Sequence, residues 1–132
     1  MSMIKSLLRS TRASSTVDFA FAFPVLITIM LGTIQLGAYL QASGTLRHAL
    51  GEGIRYAKVY PDATSDEVLE QVRSEMPAID ADNISRLSFV RGKSNGAQYG
   101  QISIAYKLEP MIPLVPVPPI TISESKTAYL PS

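Results

Sequence analysis

Hydrophobic positions are distributed unevenly along the chain. From Phe19 to about Leu40 almost every position is apolar, and residues 19 to 46 carry no charge. About 20 consecutive apolar residues suffice for a helix to cross the hydrocarbon core of a bilayer, so this run predicts a transmembrane helix. Beyond it the apolar positions narrow to a stripe. Leu46, Leu50, Ile54 and Ala57 recur at steps of three or four, one face of a helix. Ala49, Gly53 and Ala57 form a small-xxx-small row on a neighbouring line, a pattern that lets helices approach closely. One helix, or two nearly continuous ones, is expected from about Val17 to Val59, stopped by Pro61. Its rise is on the order of 60 Å, about twice the apolar thickness of a bilayer. Gly32, Gly37, Gly44, Gly51 and Gly53 soften it, and Pro24 is expected to kink it or loosen one turn.

After Pro61 the pattern changes. "TSDEVLEQVRSEM" predicts a short helix, with Thr64 and Glu67 at capping-box spacing, an apolar stripe of Val68, Leu69, Val72 and Met76, and Pro77 ending it. "AIDADN" is a loop. Its Asp80, Asp82 and Asn83 make only a weak cation pattern, because no Glu follows at ligand spacing. Period-two alternation then predicts three strands. Leu87 and Phe89 alternate with Arg86 and Ser88. Ile102, Ile104, Tyr106 and Leu108 share one face, and Ile120 and Ile122 alternate with Thr121 and Ser123. Asn95-Gly96 is a turn signal between the first two. The proline-punctuated "EPMIPLVPVPP" fits neither a helix nor a central strand. It reads as an extended connection packed on the sheet, or as an exposed apolar loop meeting a partner or a membrane leaflet.

These elements define an α+β chain. A long N-terminal transmembrane helix continues into a small periplasmic domain with a short helix and a three-stranded antiparallel sheet. The expected segments are a basic leader (1–13), a transmembrane and extended helix (14–60) and the small domain (61–132).

Charge sets the orientation. Lys5, Arg9 and Arg12 precede the apolar run with no acid before Asp18, so the positive-inside rule places the N-terminus in the cytoplasm and the C-terminal part outside it. A secretory signal peptide is the competing reading. Its apolar region is shorter, about 7–15 residues, but Ala38, Ala42 and Ser43 offer small residues for a cut. A buried core helix is the other, although so short a chain has little apolar sequence left to wrap one. The net charge of +1 provides no field for nucleic acid. With no cysteine and one histidine, His48, there is no thiol nucleophile, cysteine-ligated zinc or triad pattern. Neither an enzymatic role nor a cofactor is expected.

Asp18 stands directly before the apolar run. One reading makes it a helix N-terminal carboxylate that complements the macrodipole. The other starts from Ala13 and Ser14, small residues between the basic leader and the helix. Cleavage between them would place a new ammonium one turn from Asp18, and two such charges at a membrane edge stabilise each other. The pattern "TVDFAFAFPVLITIMLGTIQLG", behind a short basic leader with a small residue at the junction, resembles the TadE-like pseudopilins of tight-adherence (Tad/Flp) pilus systems. Val17, Asp18, Phe19, Ala20, Pro24 and Gly32 match that family's pattern; Asp18 replaces its usual Glu, and Ala13 stands where Gly is usual. The resemblance covers about residues 9 to 40 well and the rest in outline. It implies a membrane-anchored minor pilin subunit in the bacterial inner membrane. Its implied partners are other pilin-like subunits, the pilus assembly machinery and a prepilin peptidase. A membrane-tethered binding or sensor module unrelated to pili is the alternative.

Overall fold

The computed structural model describes residues 11–112 and 116–131. Most of the basic leader, with Lys5 and Arg9, lies outside the described residues. So do Leu114 and Val115 of the proline-rich connection and the side chain of Ala13. The described chain is α+β, in the order α1 (Thr11–Val59), α2 (Ser65–Ser74), a 3-10 turn (Ala81–Asn83), β1 (Ile84–Ser94), β2 (Ala97–Leu108) and β3 (Ile120–Tyr129).

Helix α1 is one unbroken element, not two, and it already includes the six residues before Val17. The added residues, Thr11 to Thr16, are polar or small and carry no apolar period, so nothing in the hydrophobic pattern marks them. Helix also continues through Pro24. Proline there removes the N–H that would bond the carbonyl of Ala20. Around it, threonine hydroxyls find partners inside the helix. Thr28 Oγ1 donates to the carbonyl of Pro24 (2.8 Å) and Thr33 Oγ1 to that of Ile29 (2.9 Å), so neither needs water.

The chain divides into two compact units, residues 1–36 and 37–132. In the first, the described residues form helix alone, with the rings of Phe19 and Phe23 5.6 Å apart along one face.

The second unit holds the core. Its sheet is antiparallel in the order β1-β2-β3, with β2 central. Asn95 (φ 53°) and Gly96 (φ 82°) close the β1–β2 hairpin between Ser94 and Ala97. Two successive positive φ angles match the right-handed twist of the paired strands, which is why Asn-Gly is favoured there. Gly100, Ile102, Ile104 and Tyr106 of β2 are buried and alternate with half-exposed neighbours. Phe89 of β1, Ile122 of β3 and Leu130 complete that apolar face. Leu46, Leu50 and Ile54 of α1 and Val68 and Val72 of α2, with Met76 beyond it, cover it. Burying each large aliphatic side chain contributes roughly 1.5–3 kcal/mol.

The capping box expected at Thr64 is present. Glu67 N–H donates to Thr64 Oγ1 (3.3 Å), and Thr64 N–H donates to Glu67 Oε2 (2.7 Å). These bonds hold the Glu67 carboxyl below the usual carboxylate pKa, the backbone bond contributing most. Arg91 of β1 reaches past the sheet and donates to the carbonyls of Pro61 and Ala63 (2.7 Å to Ala63), tying the α1–α2 connection to the sheet.

Candidate functional site: the long helix

No residue of the most apolar 18-residue window of α1 is buried within the molecule. Phe19, Phe21, Val25, Leu26, Ile29 and Met30 are all exposed by half or more. A water-soluble fold does not leave so continuous an apolar surface uncovered. Length, composition and exposure together make this helix a candidate membrane span, consistent with a single-pass membrane protein.

Asp18 is exposed on this surface, between Val17 and Phe19. It is the eighth residue of α1, and the first turn contains no acid. The helix-start reading of Asp18 is therefore corrected for the chain with its leader attached. The free N–H groups that a capping carboxylate serves lie in the first turn, and Asp18 lies beyond it. Ser14 is exposed, one turn before Asp18 on the same helix. A terminus at Ser14 would stand about 6 Å along the axis from Asp18. Asp18 is the only charged residue between Arg12 and Arg47.

The small-residue row lies in the second unit. Ala49, Gly53 and Ala57 are all buried. A Cβ built on Gly53 would lie 2.3 Å from Val72 Cγ2 and 2.8 Å from Ile102 Cδ1. The row is thus filled from within its own unit, by α2 and by β2 behind it.

His48 Nε2 lies 3.7 Å from Glu75 Oε2, joining α1 to the end of α2. In the Asp80–Asn83 loop, Asp80 Oδ1 accepts the N–H of Asp82 (3.0 Å) and starts the 3-10 turn. Among the described residues no group of three or more His, Asp or Glu side chains is placed to hold a metal ion.

One polar site escaped the sequence reading. Glu124 of β3 points toward α1, where Oε1 accepts from Ser43 Oγ (2.8 Å) and Arg47 Nε (2.9 Å). The signal was present in the alternation: Ile120 and Ile122 set the inward face, and Glu124 is the next position on it. An inward charge on an edge strand also discourages further strands from pairing there.

The fold and the exposed helix define a class: an α+β chain whose N-terminal helix is a candidate single membrane span. Residues 13–55 match the family model described as TadE-like protein, so this helical segment is TadE-like. The match begins at Ala13, includes Asp18, Ala49 and Gly53, and leaves α2 and the sheet outside it. It supports involvement in a Tad pilus-related function. No curated protein and no solved structure matches the chain at a significant level.

Proposed function

We propose that this chain is a membrane-anchored, pseudopilin-like subunit of a Tad/Flp pilus machine. Its N-terminus faces the cytoplasm and residues 61–132 lie in the periplasm. A prepilin-type peptidase removes the leader between Ala13 and Ser14. The new ammonium at Ser14 then pairs with Asp18, of the same subunit or of a neighbour, within a bundle of apolar helices. Its partners are other pilin-like subunits and the assembly machinery, and it performs no catalysis.

The observation that carries this reading is the TadE-like match over a helix whose N-terminal apolar run is exposed and carries one carboxylate, Asp18. A charge at such a place is costly unless it is paired, and a partner within one helical turn is what the cut would create. Deleting the gene in its host is the direct test. Tad-type surface filaments should be lost or reduced and restored by the intact chain; unchanged piliation would contradict the proposal.

A further inference from the structure

Charge in the second unit is segregated. Residues 62–82, with α2 and the 3-10 turn, contain seven acids and one base, Arg73. The three strands reverse the balance, with five bases and one acid, Glu124. Ion pairs within the unit join Arg47 to Glu124, Arg55 to Glu52, His48 to Glu75 and Arg73 to Glu70. Asp62, Asp66, Asp80 and Asp82 are exposed and form no ion pair among the described residues, and the same holds for Lys58 and Lys126.

The packing sends the two sets to opposite flanks. Helix α2 lies over β1, where Arg91 reaches the carbonyls of Pro61 and Ala63. Helix α1 lies over β3, with Glu124 bonded to Ser43 and Arg47, and with Lys126 Nζ 3.4 Å from where a Cβ on Gly51 would lie. The two helices run antiparallel in register. His48 meets Glu75, Glu52 and Gln71 line one groove, and Tyr56 and Glu67 line the next. Gln71 and Glu75 therefore face α1. Asp66 and Glu70 lie roughly 140° round the helix from them, on the outer side of α2. Lys58 lies about three turns beyond Arg47 on the same line, the β3 side of α1. By that register Lys58 is level with Asp66, and Lys126, beside Gly51, is within a turn of the level of Glu70.

We propose that these flanks are complementary and that the second unit docks side by side with a second copy of itself. The α1–β3 flank of one copy, with Lys58 and Lys126, meets the outer side of α2 of the next, with Asp66 and Glu70. A sideways displacement alone brings the charges level, so the match is in position as well as in sign. The two surfaces differ, which makes the contact heterologous, and each docked copy presents the same free flank to another. Exposed ion pairs are individually weak and are screened by salt. Such a contact is weak between free copies and counts where copies are already held close. It rests on neither leader removal nor Asp18.

A zero-length carbodiimide joins a lysine amine to a carboxylate only where the two touch. Full-length chains in ordinary and nitrogen-15 form are mixed in neutral detergent at low salt and cross-linked, and peptides that carry both isotopes are identified by mass spectrometry. Lys58 should be joined to Asp66 and Lys126 to Glu70 between copies, with yields falling several-fold at high salt. Asp18→Asn should cross-link as the parent does, so a failure of charge pairing at Asp18 is distinguishable from a failure here. All four positions are exposed, so their variants should keep the parent's circular dichroism. Lys58→Glu with Lys126→Glu leaves both flanks acidic, and Asp66→Lys with Glu70→Lys leaves both basic. In sedimentation each of these variants alone should associate several-fold less than the parent, and an equal mixture of the two should associate again. Absence of cross-links between parent copies at low salt overturns the proposal. So do cross-links that join other positions, which would assign the contact to another face. A mixture that stays dissociated would show that these charges do not form the contact, and overturns it too.

Discussion

Gly51 and Gly53 are two residues apart on one helix, yet substituting them should have opposite effects. Alanine is favoured over glycine by roughly 1 kcal/mol in a helix interior. At Gly51 the nearest atom to a new Cβ is Lys126 Nζ at 3.4 Å, a mobile chain end, so Gly51→Ala should stabilise by up to about that amount. At Gly53 the new Cβ would meet Val72 Cγ2 and Ile102 Cδ1, both on fully buried side chains. Val72 is stiff at χ1, and both neighbours lie in a closely packed core where shifts are costly. Overpacking of this kind costs typically 1–3 kcal/mol, enough to outweigh the helix gain. Gly53→Ala should therefore lower the melting temperature of the full chain in detergent, followed by circular dichroism, while Gly51→Ala raises it. Equal shifts of the same sign would show that the row is not closely packed. The spacing of Ala49, Gly53 and Ala57 was legible in the sequence. Which surface filled it was not, because small residues invite close approach without specifying the neighbour.

Among the elements, α2 has the best-defined start. Thr64→Ala removes the cap and should cost about 1 kcal/mol. Acid should weaken the same site. The Glu67 carboxyl is held below its ordinary value of 4.5 by its bonds from Thr64. Its contribution is therefore complete above that value and is lost as pH falls through the lower, folded-state pKa. Protection of the α2 amides, measured against their intrinsic exchange rates, should fall on acidification through this window, and Glu67→Gln should remove that part of the pH dependence. An acid response unchanged in Glu67→Gln would assign it to other carboxylates. This element was readable because a capping box is local: two residues at fixed spacing before an apolar stripe. Strand β2 was readable for a similar reason, since Ile102, Ile104 and Tyr106 alternate without interruption. Strand β1 runs beyond the alternation of Arg86 to Phe89 that marks it in the sequence. Arg91 to Ser94 resemble loop by composition, but they pair with Ala97 to Gly100 as far as the turn. The link from Glu124 to Ser43 and Arg47 joins positions about 80 residues apart, and no local pattern pairs them. The start of α1 was misplaced because polar helical residues carry no period.

For the molecule as a whole, a basic leader before an uncharged apolar run predicts one orientation. A periplasm-active phosphatase fused after Ser132 should be active, and a cytoplasm-active reporter at the same place silent; the reverse pattern would invert the topology. Assembly then turns on Asp18. With the leader removed, Asp18→Asn keeps the shape and the capping ability of the side chain but discards its charge. Asp18→Glu keeps the charge. The decisive measurement is recovery of other pilin-like subunits with the tagged chain from membranes of piliated cells. Asp18→Glu should recover them as the parent does. Asp18→Asn should insert normally yet lose about 3 kcal/mol of association, roughly a hundredfold, because its ammonium partner is left unpaired. If Asp18→Asn recovers partners and supports piliation like the parent, the carboxylate does not hold the subunits together, and charge pairing at the membrane edge is contradicted.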